Sequence, residues 1–567
     1  MVFLHSLRSH PLGIRIGKLV PLSVWERRPS LVFGFGAFTL VTALLLGGGT
    51  RGGFLSDAIL QLLAIPALLI AVSSLVALPR TRIKRPAEWA LIFCLAIMLL
   101  PMLQLIPLPP WMWTRLPHRE NIVTVFDLLG RPLPWLPVSV APNATWLSAL
   151  SLLPPIAVFL CVLQLGYRER RSLSLIFIGV GIVGAFLGLT QVAQGPASPL
   201  RFFAFTNENE AVGFFANRNH FAALLYVLLL YSAAWATDVA LAVGNLSNRR
   251  SLEASSILAL TASFLILIVV IAAESISRSR AGLGLMIVAM FGSFALPLAT
   301  RRGPAGAGTV KVISVSMIVA MLLVIQFALY RILDRFSIDP LTDARPTFVR
   351  NTIKAAMAYM PFGSGFGTFV SVYPTFERPQ DTIATVYANH AHNDLVEVWL
   401  EGGAVAIILM TAFVAWLALR FRQFWWQPPT NVRLIDILLA RAATLAIALV
   451  IAHSLVDYPL RTDAMMAVLA FSCALLIEPV RAAETATVAA PNERVVRRES
   501  VPMLNPPVVS VPDPRNSPPP PPLPAESREL ETPVAPAPSG RWGEEIAWPE
   551  QWSNRKPRVD DDHGPKQ

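Results

Sequence analysis

The sequence predicts an all-α polytopic membrane protein of about twelve spans, on three grounds. Apolar runs recur along most of the chain, charge is scarce, and arginine and lysine gather in alternate connecting loops. Of 567 residues, 54% are hydrophobic and 15% charged, which is too little charge to clothe a soluble protein of this size. A helix needs about 20 apolar residues to cross the hydrocarbon core. Such runs lie near 31–49, 58–78, 89–107, 146–165, 173–193, 219–241, 255–273, 281–299, 312–330, 394–418, 435–455 and 463–480. The first follows a cationic segment, residues 1–30, but lacks a small-residue cleavage site and reads as a retained span.

The basic residues orient these spans. Arg8, Arg15, Lys18, Arg27 and Arg28 precede the first. Arg80, Arg82, Lys84 and Arg85 follow two spans later, then Arg168, Arg170 and Arg171, then Arg249 and Arg250. Arg301, Arg302 and Lys311 continue the alternation, as do Arg420, Arg422 and Arg433. By the positive-inside rule both termini are cytoplasmic. The loops 108–145, 194–218 and 331–393 then face the other side, and Trp111 and Trp113 suit its interface. The net charge of +11 reports this topology, and with no basic stripe interleaved with aromatics, nucleic acid is not an expected partner. Cys94, Cys161 and Cys473 lie in apolar runs and read as small core residues. The proline-rich stretch 482–567, with Pro518 to Pro522, reads as a disordered cytoplasmic tail beyond a membrane domain at 31–481.

Groups able to do chemistry collect on the non-cytoplasmic face. The stretch 344–360 has helical patterning, with Phe348, Ile353, Met357 and Met360 on an apolar side and Arg350 and Lys354 on a basic one. It reads as an amphipathic helix at the membrane surface, packed on the bundle or touching substrate. Gly363, Gly365 and Gly367 follow, spaced either for a tight turn or for backbone N–H groups to approach a phosphate. His390 and His392 stand at a span's start, and a histidine titrating near pH 6.5 is a good general base. Asn393 can cap that helix, and Asp394, Glu397 and Glu401 share one face, which should look into the bundle or a wet cavity. The HxH pair lacks a third zinc ligand at typical spacing, and Asp339 and Asp343 form no compact DxD, so no metal is expected. Arg278 and Arg280 sit on the outer side against the charge rule, as an anionic partner or simple snorkelling would explain. Arg218, Asn219 and His220 reach another outer end, and His453, Asp457 and Arg461 fall at four-residue steps, interrupted by Pro459.

Four stretches resemble the O-antigen ligase and O-antigen polymerase superfamily of bacterial membrane glycosyltransferases: GFFANRNHFAALL, SRSRAGLGL, ARPTFVRNTIKAAMAYMPFGSGFGTF and HAHNDLVEVWLEGGAVA. A fifth, HSLVDYPLR, resembles the closing motif of polymerase-like members. The resemblance covers about residues 31–480 and implies a GT-C-like fold in the inner membrane. It implies inverting, metal-independent transfer of a glycan from an undecaprenyl-pyrophosphate carrier on the periplasmic face, with no cofactor. Arg280 and Arg345 would hold the pyrophosphate and His392 would be the base, with Arg350 and His390 as the ambiguous neighbours. Arg278, Asn219, Asn393, Asp394, Glu401 and Gly365 are further substrate-side candidates. A polymerase of O-antigen or exopolysaccharide fits best. A ligase acting on lipid A core or a protein is the alternative, and a chain-length regulator is a candidate partner. A twelve-span transporter or lipid-linked sugar flippase would show related halves and midplane charges, whereas here the halves look unrelated and the charges cluster at one face.

Overall fold

The computed structural model describes residues 28–50, 55–79, 83–246, 254–299, 344–382 and 388–480. The predicted span near 312–330, the start of the long loop and the tail lie outside these residues, as do most of the cations used to orient the chain. Among the described residues the structure is helical, with one isolated bridge joining Leu108 and Leu136. Helices α1 (Arg28–Leu46), α2 (Leu55–Val76) and α3 (Arg85–Gln104) lead into two short ones, α4 (Pro110–Trp113) and α5 (Glu120–Leu128). Then come α6 (Pro142–Leu150), α7 (Leu153–Gln164), α8 (Tyr167–Gln194), α9 (Arg218–Leu246), α10 (Ala254–Ser277) and α11 (Arg280–Leu298). The C-terminal part holds α12 (Arg345–Ala358), α13 (Phe369–Val372), α14 (Asp394–Trp426), α15 (Leu434–Ser454) and α16 (Asp463–Leu475).

Among the described residues eight helices are long and apolar enough to cross a membrane, α6 and α7 counting together as one. Shorter apolar helices in α1, α10 and α16 coincide with three further predicted spans. Position in the bundle follows from sequence. Residues 221–230 of α9 are apolar all round, and all are buried, so α9 is the central helix, packed by α8, α10, α11 and α15. By contrast α3 is buried along little of its length and presents an exposed apolar stripe, as a lipid-facing helix does. Arg170 is buried where α7, α8 and the end of α16 meet, and donates to the carbonyls of Val162, Leu163, Leu165 and Ile477, satisfying helix-end acceptors.

Two expectations change. Trp113 is not an interfacial residue: it is fully buried, with its indole N–H donating to Pro134 O at 2.8 Å, while Trp111 is exposed. The helix expected over 344–360 forms, but it packs through Phe348, Asn351, Thr352, Ala355 and Ala356, and Met357 is exposed. Beside Phe348, small side chains allow α12 to lie close against α14, and Met357, though apolar, is not on its packing face.

The glycine-rich loop is fastened to a break in α14. Gly403 has φ +60° and ψ −145°, kinking the helix. Ser364 N–H and Gly365 N–H donate to the carbonyls of Leu400 and Glu401, and Ala404 N–H donates to Pro361 O. A Cβ on Gly403 would lie 2.3 Å from Pro361 O, and one on Gly363 would lie 2.4 Å from Glu401 O. Gly403→Ala should therefore lower stability by about 1–3 kcal/mol from the backbone alone, with the clash added. Thermal unfolding of the detergent-solubilised protein reads this, and Gly34→Ala, at a position with no neighbour within 4 Å, should leave the midpoint nearly unmoved.

Candidate functional site

Segments distant in sequence meet at the end of the bundle where α9, α14 and α16 begin. Ala464 N–H donates to Gly47 O at 3.0 Å and Ala216 N–H to Gly48 O at 3.0 Å, joining the chain after α1 to α16 and to the approach of α9. The turn between α15 and α16 closes over this point. Helix α15 ends at Ser454, and Pro459–Arg461 form a short 3-10 turn, as the proline dictates.

Asp457 is the centre of the arrangement. Its carboxylate is fully buried and accepts from Asn219 Nδ2 on α9, from its neighbour Tyr458 N–H at 3.0 Å and from His392 Nδ1 at 3.1 Å. Arg345 Nη2 stands 3.6 Å away, and Arg345 Nη1 donates to Val456 O at 3.1 Å. Burial alone would raise the Asp457 carboxyl, but the His392 hydrogen bond and the Arg345 guanidinium outweigh it, holding the acid well below the usual carboxylate range. His392 adopts a left-handed backbone with φ +52°, unusual for a side-chain-bearing residue. Its ring stacks on Phe348 at 5.9 Å and meets Tyr458 edge-on at 4.9 Å. Nδ1 is committed to Asp457, whereas Nε2 has no partner among the described residues, on a ring that is partly exposed.

A second network lies beside the first. Arg461, partly buried, pairs with three carboxylates of α14: Glu401 at 2.8 Å, Glu397 at 3.5 Å and Asp394 at 3.6 Å. Burial would lower the Arg461 pKa, and the carboxylates together drive it upward instead. Asp394 also accepts from Ser454 Oγ at 2.7 Å and Leu460 N–H at 3.1 Å. His390 shares Glu397 at 2.8 Å through Nδ1, and its Nε2 donates to Thr50 O at 3.2 Å. Both nitrogens of His390 are thus engaged, unlike those of His392.

The remaining candidates fall around these networks. Asn393 caps α14 by accepting from Val396 N–H at 3.1 Å, and donates to Leu455 O at 2.8 Å. Arg280 opens α11, exposed and with no ion pair among the described residues; Arg278 precedes it with φ +54°. Arg350 pairs with Asp381 at 3.5 Å and stands apart from Asp457. Gly365 spends its N–H on Glu401 O at 3.0 Å, so that group serves the α14 kink. Among the described residues no group of three or more His, Cys, Asp or Glu converges as a metal site. Sequence reasoning gave no role to Asp457, Tyr458, Glu397 or Arg461. The four-residue spacing of His453, Asp457 and Arg461 was the available signal, and it placed Asp457 and Arg461 on the right turn without revealing their partners.

Comparison with known families adds one finding. A family model described as O-antigen ligase matches residues 250–411, which include Arg280, Arg345, His390 and His392 and stop short of Asp457. No curated protein matches the chain.

The His390–Glu397 contact gives a signed pH dependence. Burial lowers the His390 pKa, yet the adjacent Glu397 carboxylate and its hydrogen bond outweigh this, so the net shift is upward. A histidine with a raised folded-state pKa contributes stability that is complete below its unfolded value of about 6.5. That contribution fades as pH rises through the folded pKa. Thermal unfolding of the wild type against His390→Gln should show a wild-type advantage at low pH that shrinks above neutrality; an advantage that grows with pH would contradict the assignment.

Proposed function

The match over residues 250–411 supports the O-antigen ligase and polymerase superfamily of membrane glycosyltransferases, and on that premise we propose that this chain transfers a glycan from an undecaprenyl-pyrophosphate carrier at the periplasmic face of the bacterial inner membrane. The observation that carries the reading is the Asp457–His392 pair, with His392 Nε2 left open and Arg345 at the same carboxylate. Asp457 fixes the imidazole tautomer by accepting from Nδ1–H, and would stabilise the imidazolium formed when Nε2 takes a proton.

The proposed step is a direct displacement. The acceptor hydroxyl gives its proton to His392 Nε2 as its oxygen bonds to the donor's anomeric carbon. The bond from that carbon to the carrier's phosphate oxygen breaks, and the pyrophosphate leaves with the electron pair, so configuration inverts. Arg345 and Arg280 would oppose the charge that builds on the leaving group, a task suited to the guanidinium fork. No metal enters the proposed step. Arg345 fits this task better than Arg350, because only Arg345 reaches the buried carboxylate that holds the base.

Between the two activities we favour polymerisation of repeat units, because residues 453–461 resemble the closing motif of polymerase-like members and supply Asp457 to the proposed base. Deleting the protein should leave single carrier-linked units; long carrier-linked chains would assign it as a ligase instead. In membranes of matched protein content, His392→Gln and Asp457→Asn should each reduce transfer by about 10²–10⁴-fold. Full activity in either variant would remove the base from this histidine. Arg345→Ala should cost far more activity than Arg350→Ala, and equal losses would contradict the division of roles.

A further inference from the structure

Helix α5 is amphipathic and has no buried residue. Ile122, Val125, Phe126 and Leu129 fall at i, i+3, i+4 and i+7, one face of a helix, with Leu128 and Asn121 along its edge beside Val125, while Glu120, Thr124 and Asp127 take the other side. Val125 is 53% exposed, Leu128 81% and Leu129 63%, and Trp135 beyond the helix is 64% exposed. Such an apolar surface does not stand in water without a partner.

The segment around α5 is built, not slack. Leu108 and Leu136 exchange backbone hydrogen bonds at 3.0 and 3.2 Å. Trp113 is buried against Pro134 O, and the Arg119 guanidinium donates to the carbonyls of Pro137 and Val138. His118 stacks on Tyr359 at 5.4 Å, the residue that ends α12. The exposed apolar face is therefore held at a set angle by a rigid platform.

Two observations identify what covers it. The first is continuity. The exposed stripe of α3, from Trp89 through Ile92, Leu95, Leu99 and Leu103, is followed along the chain by exposed Ile106 and then exposed Trp111 at the base of the platform. The second is depth. Gln104, the last residue of α3, donates to Glu401 O at 2.8 Å. Glu401 lies about 10 Å along α14 from its first residue, Asp394, at 1.5 Å per residue. The platform thus springs from below the rim of the bundle, at the edge of the hydrocarbon zone.

We propose that α5 lies in the bilayer interface, its Val125–Leu128–Leu129 face sunk among lipid acyl chains and its Glu120–Asp127 face in water. The adjoining Arg115 and Arg131, both exposed, are placed to meet lipid phosphates. Through the His118–Tyr359 stack this seats α12, the helix that begins at Arg345, on the membrane surface. The inference rests on the membrane-spanning reading alone and not on the reaction proposed above.

The test uses the full chain with Cys94, Cys161 and Cys473 replaced by Ala, reconstituted in phosphatidylethanolamine–phosphatidylglycerol vesicles. Spin labels at Val125→Cys, Leu128→Cys, Thr124→Cys and Asp127→Cys report collisions with oxygen, which concentrates in lipid, and with a water-soluble nickel chelate. Oxygen should dominate at 125 and 128 and nickel at 124 and 127. Nickel dominance at all four positions would place the helix in water, and loss of both collisions at 125 and 128 would mean a protein partner; either result overturns the proposal. The chain with native cysteines gives an independent reading. Lipids brominated near the head of the acyl chain should quench its tryptophan fluorescence, and Trp135→Phe should remove part of that quenching. Unchanged quenching would count equally against it.

Discussion

The burial of carboxylates at one end of the bundle is the constraint on which the site depends. Asp457, Asp394, Glu397 and Glu401 are all nearly or fully buried. An ionised carboxylate stripped of water and left unpaired costs several kcal/mol, whereas each hydrogen bond to a charged group returns about 1.5–3 kcal/mol. The donors come from segments far apart in the chain: Asn219 from α9, Ala391 and His392 from the loop before α14, Arg345 from α12, and Arg461 from the turn before α16. No one of these can be absent without leaving a buried charge short. The electrostatics therefore specify how loops that could pack in many ways come together.

The two networks differ in what they leave open. Around Arg461 one guanidinium pairs with three carboxylates, and His390 and Ser454 add hydrogen bonds to Glu397 and Asp394, while Asp394 Oδ1 and Glu401 Oε1 make no hydrogen bond. Those pairings make the network a clamp between α14 and the 459–461 turn. Around Asp457 the carboxylate is satisfied, but His392 keeps one nitrogen and part of its ring exposed. A proton acceptor needs both properties, a fixed orientation and a free lone pair. The clamp steadies the histidine, because Asn393 and Ala391, which flank His392, are tied to Leu455 and Glu397.

Local pattern carried much of this into the sequence. Spans are legible because apolar length is itself the requirement for crossing a bilayer, and the Asn393 cap and the break at Pro459 are rules of the immediate chain. The common face of Asp394, Glu397 and Glu401 was likewise visible from helical spacing. Their partner was not, since Arg461 meets them only through the fold. The α12 face is legible at Phe348 but not at Met357, for a physical reason: tight packing against α14 rewards small Ala and Thr over large Met, which hydropathy ranks the other way. Arg345 and Arg350 are equivalent by residue type and separable only by what each reaches, Asp457 or Asp381.

The kink at Gly403 ties these levels together. Breaking α14 there frees carbonyls that lipid could not satisfy, and the glycine loop and Gln104 bind the resulting surface: Gln104 Nε2 and Gly365 N–H both reach Glu401 O, while Ser364 N–H reaches Leu400 O. The same Glu401 binds Arg461 through its side chain. One residue thus joins the charged clamp, the loop that follows α12 and the lipid-facing helix α3. A polar centre that runs from Asp394, the first residue of α14, to Glu401, about two helical turns further in at 3.6 residues per turn, reaches the depth at which the helix is broken. Irregular backbone at that depth is tolerated only where protein covers it, and here the cover is the glycine loop after α12 together with Gln104 of α3.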